Sequence, residues 1–271
     1  SRPLPEVIRA NGEPCLQSLT HLAIGPDLVW GRNLFDEANV AVPAALCFRQ
    51  SSGHGAGVIS SGCAAGPDAQ SAVRAGIYEV LEHAVMAAWW RGTDLPSGEV
   101  SYLRYRLTEM LEPEIKTARA ETNLRTTEIG LIASICGVYA VAAWSFDRNG
   151  EGGFVVASAA HADLMEAARS AFRELCQLEW GLHLARIKQL QAGLAPSDFD
   201  DEVLVRSDCI SRDDRRLIMN GLLPALEPQD LLERLKGSFS SCIDVTLHMQ
   251  PGLHVHKVII PELYCARQPF S

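Results

Sequence analysis

Residues 60–90 read SSGCAAG, then PDAQ, then SAVRAGIYEVLEHAVMAAWW. From Ala75 onwards this run is almost wholly apolar, and its only acidic or basic side chains are Glu79, Glu82 and His83. A helix that is apolar on all sides is typical of a protein interior. We therefore predict a long buried helix that follows a loop of small residues, with the rest of the chain packed around it.

Glu79 and Glu82 are the unusual feature of this helix. Residues three apart lie on one face of a helix, so the two carboxylates can converge on one point. Burial of a carboxylate is costly unless a cation or a hydrogen-bond donor replaces the lost water. Mg2+ typically binds one or two carboxylates together with phosphate oxygens and water. The alternative is structural, with both side chains on a solvated stripe or paired with arginines from elsewhere.

Two Gly-containing segments precede the helix, at residues 51–57 and 60–66. The first lacks the Gly-Lys-Ser/Thr ending of a P-loop. One interpretation of these segments is a flexible turn between sheet and helix. The other is a phosphate cradle, in which backbone N–H groups and the N-terminus of the long helix face the anion.

Three segments together resemble the YcaO family. Ser60–Gly66 followed by Glu79-x-x-Glu82 is similar to the family's S-N-G-x-A-x-G and E-x-x-E-R-D core. Residues 159–177 resemble its G-x-A-A-H-x-D and A-x-x-R-A-x-x-E-x-x-Q segment, and Gly252–Pro261 resembles its late G-L-x-V-x-K-V-x-V-P strand. The resemblance extends from roughly residue 28 to residue 261, and no single motif carries it.

The resemblance implies an α+β fold in which long buried helices pack on largely antiparallel sheets. Family members use ATP to phosphorylate a backbone amide oxygen in a ribosomally made peptide, which gives azolines, thioamides or amidines. The resemblance therefore implies ATP and Mg2+ as cofactors and leaves the catalytic residue unidentified. The nucleotide-binding residues that it implies are Ser61, Gly62, Glu79, Glu82, Glu174 and Gln177, with Glu79, Glu82 and Glu174 as metal ligands.

The same resemblance implies partners. A ribosomally made precursor peptide is the expected substrate, and a second protein that recognises this peptide is an expected partner. Self-association as a homodimer, or assembly into a hetero-complex, is a further hypothesis. It is motivated by the family and by Trp89 and Trp90, which we interpret as exposed apolar residues.

Departures from the family pattern support an alternative function. His83 and Glu179 stand where the family has arginines, so two cations that would face phosphates are replaced. An early family segment with further magnesium carboxylates has no counterpart in residues 1–60. The chain is then either an ATP-dependent cyclodehydratase or thioamide synthetase, or a degenerate scaffold or partner subunit without ATP turnover. A third hypothesis is one half of a split enzyme, or a fragment.

Composition excludes several classes of protein. The net charge of −9 and the pI near 5.4 argue against nucleic-acid binding, which needs clustered Lys and Arg. The eight cysteines form no C-x-x-C pair, which is typical of reduced thiols in a cytoplasmic protein and argues against zinc. The longest apolar run, residues 129–144, is shorter than the ~20 residues of a membrane span. We expect neither a membrane segment nor a signal peptide.

The coarse organisation follows from periodicity. We predict one YcaO-like domain over residues 1–271, with a partly irregular N-terminus over 1–27. Residues 101–117 have apolar residues at helical spacing, which predicts an amphipathic surface helix. Residues 129–146 are predicted to form one long buried strand. Asp163 is predicted to be the N-cap of a second long helix that reaches about Gln191. His254 and His256 share one face of a late strand, and a metal there would lack a visible third ligand.

Overall fold

The computed structural model describes residues 28–48, 61–93, 100–120, 124–148, 153–191, 197–208, 210, 217–221 and 230–264. The chain divides into two compact units, one made of residues 1–100 and 227–271 and the other of residues 101–226. The predicted irregular segment 1–27 and the Gly-rich segment 51–57 lie outside the described residues. A single domain over 1–271 stays a prediction.

Nine strands and six helices follow one another within the described residues. The strands are β1 (Leu28–Asn33), β2 (Asn39–Pro43), β3 (Cys63–Gly66), β4 (Val100–Arg106), β5 (Arg125–Ile135), β6 (Val138–Asp147), β7 (Val155–His161), β8 (Ile243–Gln250) and β9 (Leu253–Ile259). The helices are α1 (Ala69–Arg91), α2 (Glu112–Arg119), α3 (Leu164–Leu190), α4 (Asp198–Asp208), α5 (Leu231–Ser238) and α6 (Pro261–Tyr264).

The first unit is a five-stranded antiparallel sheet in the order β2-β1-β8-β9-β3. Side chains alternate between the two faces of a strand, and both faces of this sheet carry packed apolar side chains. One face is packed by the cluster Val40, Val42, Leu46, Cys47, Ile243, Val245 and Ile259. The other face carries Val258 and packs against α1, which lies on β3 and β9.

Helix α1 is the predicted long helix that follows the small-residue segment. It begins after Asp68, whose Oδ1 accepts a hydrogen bond from the Ser71 backbone N–H at 2.7 Å. It ends at Gly92, which has a φ of 67° in the left-handed region that favours glycine at helix C-termini. Its buried residues are Ala72, Gly76, Ile77, Val80, Leu81, Ala84, Val85, Ala88 and Trp89.

The second unit is a four-stranded sheet in the order β4-β5-β6-β7, on which α3 packs through β5, β6 and β7. Its core joins the sheet to one face of α3, through residues that include Ile129, Leu131, Val141, Ala143, Ala168, Phe172 and Leu175. Each unit thus combines one long helix with a sheet. The predicted fold class, long helices on largely antiparallel sheets, is confirmed.

The N-cap prediction for the second long helix is confirmed. The Asp163 carboxylate accepts hydrogen bonds from the backbone N–H groups of Met165 and Glu166, at 2.8 Å and 3.0 Å. These bonds lower the pKa of Asp163. The helix then extends to Leu190, with Gln191 as its C-cap.

The prediction of one strand over residues 129–146 is wrong, because the segment belongs to a β-hairpin. Strands β5 and β6 pair in antiparallel register and are joined at Cys136 and Gly137. These two residues have φ values of 50° and 78°. Tight hairpin turns require positive φ at both central residues, so the Cys-Gly pair is a turn signal inside an otherwise apolar run.

The helix predicted over residues 101–117 is also wrong in its first half. Val100–Arg106 forms β4, and only Glu112–Arg119 is α-helical. Leu103, Tyr105 and Leu107 fit the two-residue period of a strand as well as Leu103, Leu107 and Met110 fit a helix. Pro113 then occupies the first turn of α2, a position where its missing N–H is not needed.

Trp89 and Trp90 do not form the predicted exposed apolar surface. Trp89 is only 2% exposed and Trp90 is half-buried, with the two rings edge to face at a centroid distance of 5.8 Å. They therefore give no support to the hypothesis of self-association. Among the described residues, no helix combines the length and apolar character needed to cross a bilayer.

Candidate nucleotide and metal site

Glu79 and Glu82 lie in the middle of α1, one turn apart and both half-buried. The buried residues of the helix occupy a broad face centred on Val80, Leu81 and Ala84, whereas the two carboxylates lie on the remaining stripe. The side chains share one helix face, as their spacing predicts. This stripe offers two hard oxygen ligands at partial solvent exposure, which suits a cation that keeps part of its water shell.

The Ser61–Gly62 turn packs directly on the same helix. Gly62 has a φ of 87°, and a Cβ atom there would lie 2.2 Å from the Val258 carbonyl oxygen and 2.8 Å from Val80 Cγ2. The Gly62 carbonyl accepts a hydrogen bond from the Val258 N–H at 2.7 Å. Because Gly62 also approaches Gly76 closely, the turn is fixed one helical turn before Glu79.

Lys257 places a buried positive charge at this turn. Its side chain is 1% exposed, and its Nζ donates a hydrogen bond to the Ser61 carbonyl at 2.7 Å. Lys257 pairs directly with Cys63 across β9 and β3, which brings it to the turn from a distant part of the sequence. Burial raises the pKa of the nearby Cys47 thiol to about 11, and the charge of Lys257 opposes that rise. Sequence reasoning gave Lys257 no role.

The N-terminus of α1 does not favour the predicted phosphate cradle. Cys63–Gly66 is a strand rather than a loop, and it pairs with β9. The Asp68 carboxylate occupies the first turn of the helix, and its hydrogen bond with Ser71 lowers the pKa of Asp68. A phosphate at the same helix end would meet a negative charge already in place.

Glu174 and Gln177 lie on α3 in the second unit. Both are exposed and three residues apart, so they share one face of the helix as predicted. Their carboxylate and amide groups can contact a nucleotide, and Glu174 can bind a cation. The roles predicted for Ser61, Gly62, Glu79, Glu82, Glu174 and Gln177 stay predictions.

His254 and His256 lie on one face of β9, with ring centroids 6.3 Å apart and nearly parallel rings. His256 is buried, and its Nδ1 lies 2.8 Å from Asp244 Oδ1. A carboxylate in that position orients the imidazole ring. Within the described residues, no three His, Cys, Asp or Glu side chains gather closely enough to hold a metal ion.

Comparison with known proteins agrees with the resemblance seen in the sequence. The family model described as YcaO cyclodehydratase, ATP- and Mg2+-binding, matches residues 19–264. The chain belongs to the YcaO family. No curated protein sequence matches it.

Solved structures of YcaO proteins and heterocyclases share the fold. A heterocyclase in complex with substrate and cofactor is 19% identical, with a TM-score of 0.62 over 86% of this chain and 32% of its own. YcaO from Methanopyrus kandleri bound with AMPPCP and Mg2+ is 23% identical, with a TM-score of 0.55 over 86% of this chain and 63% of its own. The Escherichia coli microcin synthetase McbBCD with pro-MccB17 bound is 14% identical, with a TM-score of 0.55 over 87% and 64%. This chain therefore spans about a third of the first protein and under two thirds of the others.

Glu179, which replaces a YcaO family arginine, is the centre of a charge network in the second unit. It forms a two-bond ion pair with Arg119, lies 3.3 Å from Arg125 and accepts a hydrogen bond from Ser145 at 2.5 Å. Arg125 is also paired with Asp147 at 2.7 Å. Burial lowers the pKa of Arg125, and the charges of Glu179 and Asp147 oppose that shift. The reversed charge at residue 179 is thus compensated locally by two arginines.

Proposed function

We propose that this YcaO protein acts in the maturation of a ribosomally made peptide, where it uses ATP and Mg2+ to activate backbone amides for azoline or thioamide formation. The observation that carries the proposal is the Glu79 and Glu82 pair on a half-buried stripe of α1. The same helix packs against a Ser61–Gly62 turn that Lys257 holds. Two carboxylates on one partly exposed helix face suit a divalent cation that keeps part of its water shell.

Each group has a distinct role in this proposal. Glu79 and Glu82 would hold Mg2+, while the Ser61–Gly62 turn, to which Lys257 donates a hydrogen bond, would contact the phosphates. In the second unit, Glu174 stays a proposed metal or nucleotide ligand and Gln177 a proposed hydrogen-bonding contact of the nucleotide. When bound, ATP supplies the phosphoryl group and Mg2+ neutralises its charge, so the chain mainly positions the reactants.

The substrate and partners follow from the related assemblies. One similar heterocyclase is described in complex with substrate, and the microcin synthetase complex contains pro-MccB17. We propose a precursor peptide as the substrate of this chain. We also propose a partner protein, because the similar microcin synthetase is a complex, McbBCD.

Replacing both carboxylates by amides tests the metal and nucleotide roles. Glu79→Gln with Glu82→Gln is expected to weaken binding of a non-hydrolysable ATP analogue by at least about tenfold, since a contact to a charged group is worth about 1.5–3 kcal/mol. The measurement is a calorimetric titration of the analogue in excess Mg2+. The amides keep the side-chain size and leave the apolar face of α1 unchanged.

The chain contains a matched control for this experiment. Glu109 and Glu112 are also three residues apart and both are exposed, Glu109 in the 3-10 turn before α2 and Glu112 as the first residue of α2. Glu109→Gln with Glu112→Gln removes the same charge and is expected to bind the analogue like the wild type. Equal weakening of analogue binding in both double variants would mean that the loss comes from the change in net charge and not from the position of Glu79 and Glu82. An absence of binding in the wild type would favour a partner subunit without ATP turnover.

Lys257→Met separates binding from stability. The variant relieves the desolvation of a buried ion but removes the hydrogen bond to the buried Ser61 carbonyl. The free energy of unfolding, measured from the urea midpoint, is therefore expected to fall by no more than about 1–3 kcal/mol, the cost of an unsatisfied acceptor. Binding of the ATP analogue is expected to fall by about tenfold or more, because the turn loses the side chain that holds it in place. Unchanged affinity in a folded Lys257→Met variant would remove Lys257 from the site.

A further inference from the structure

The second unit has a cleft of about 340 Å³ that the proposed nucleotide contacts do not line. It lies between the end of α2, the start of β5, the end of β6 and one face of α3. Neither Glu174 nor Gln177 belongs to its wall. The residues that line it are Ala118, Arg119, Leu124, Arg125, Asp147, Cys176, Glu179, Trp180, Leu182, His183 and Arg186.

The acceptor groups of this cleft are already used. Both Glu179 carboxylate oxygens bind Arg119, and one of them also accepts from Ser145. The two Asp147 oxygens bind Arg125 and Arg186 separately, at 2.7 Å and 3.0 Å. The carboxylates of Glu179 and Asp147 are therefore already engaged by protein donors. This favours a ligand that brings hydrogen-bond acceptors of its own.

Donor groups remain available at one end of the cleft. Arg186 makes a single hydrogen bond within the described part of the chain, although a guanidinium has five N–H donors. In the same part of the chain, neither His183 nor the Trp180 indole N–H has a hydrogen-bond partner. Three arginines against two carboxylates leave one positive charge in a chain whose net charge is −9.

An apolar wall stands beside these donors. Trp180 is 65% exposed and Leu124 is 70% exposed, and both line the cleft, so they form an apolar surface there. The Trp180 ring meets His183 edge to face at a centroid distance of 5.8 Å. Exposed tryptophan and arginine side chains are the residue types enriched where proteins bind peptides and other proteins.

We propose that this cleft binds an acidic peptide segment. A peptide carboxylate is held by Arg186 and His183, and an apolar side chain next to it in the peptide packs on Trp180 and Leu124. The unused donors of Arg186 and His183 favour a carboxylate. The exposed ring of Trp180 favours an apolar group attached to that carboxylate. This binding needs neither ATP nor Mg2+, so it is independent of the proposed catalytic function.

The test uses a fluorescently labelled, end-blocked pentapeptide that alternates glutamate with leucine and phenylalanine. Its binding is measured by anisotropy without nucleotide. The matched peptide with glutamine in place of glutamate is expected to bind the wild type at least about tenfold more weakly. The glutamate peptide is expected to bind the Arg186→Gln variant at least about tenfold more weakly than it binds the wild type. Asp147 keeps Arg125 in that variant, so its thermal midpoint is expected to match the wild type.

Arg206→Gln is the control, because Arg206 is an exposed arginine of α4 outside the cleft and loses the same charge. It is expected to bind the glutamate peptide like the wild type. Equal binding of the two peptides, or equal weakening in Arg186→Gln and Arg206→Gln, would overturn the proposal. Trp180→Ala provides a second variant, and unchanged peptide affinity there would also contradict it. Failure of ATP binding leaves these readouts unaffected.

Discussion

Glu179→Ala is expected to lower the free energy of unfolding of the 101–226 unit by about 3–5 kcal/mol, the usual cost of breaking a buried ion pair. The side chains of Arg119 and Arg125 are each only 13% exposed, and both contact Glu179. Without that carboxylate, Arg119 keeps a hydrogen bond to Thr127 and Arg125 keeps Asp147. The measurement is the urea midpoint followed by tryptophan fluorescence.

Two further variants make this prediction specific. Glu179→Arg restores the residue type of the YcaO pattern, yet it is expected to destabilise more than alanine because three arginines would then meet. Glu179→Gln keeps one acceptor oxygen and is expected to lose less stability than alanine. Glu114→Ala is the control, since its pair with Arg169 is 40–46% exposed and such pairs contribute at most about 1 kcal/mol. A loss below that in Glu179→Ala would show that the network is not stabilising.

The two long helices could be predicted from the sequence because their signals are local. Helix α1 follows from an apolar run that continues for more than four turns, and α3 from an Asp163 cap before a long amphipathic run. The shared face of Glu79 and Glu82 follows from helix geometry alone. These features depend only on residues that are close together in the chain.

The strands of the second unit were harder to predict, because their sequences satisfy more than one period. The β5–β6 hairpin is apolar on both strands, so alternation is lost and only the Cys136–Gly137 pair marks the turn. Leu103 in β4 and Leu107 just after it are four residues apart in the sequence, a spacing that also suits a helix. Pairing with neighbouring strands decides such segments, and one sequence does not contain that information.

The charges around the candidate sites could not be predicted for a related reason. Lys257 meets Ser61 across 196 residues of sequence, and Arg119 meets Glu179 across 60. In the sequence alone, Glu179 indicates only that the arginine of the YcaO pattern is missing at this position. In the folded unit it draws Arg119 and Arg125 together and leaves Arg186 beside them with unused donors, so the substitution reorganises charge instead of merely removing it.

Gly62→Ala is expected to lower the free energy of unfolding of the first unit by about 2–5 kcal/mol. A left-handed conformation costs a non-glycine residue about 1–2 kcal/mol, and overpacking typically adds about 1–3 kcal/mol. The added Cβ would lie 2.2 Å from the Val258 carbonyl oxygen, a backbone atom that moves only if β9 separates from the turn. The urea midpoint, followed through Trp89 and Trp90 of α1, measures this loss.

Gly92→Ala isolates the conformational part of that cost. Gly92 has a φ of 67°, close to the 87° of Gly62, but no atom of the described residues lies within 4 Å of the position that its Cβ would take. Gly92→Ala is therefore expected to cost only the conformational term, about 1–2 kcal/mol. The difference between the two variants measures the close approach of the turn to β9. If they lose equal stability, the contact is not tight, and the Ser61–Gly62 turn has room to move away from Lys257 and the Glu79 helix.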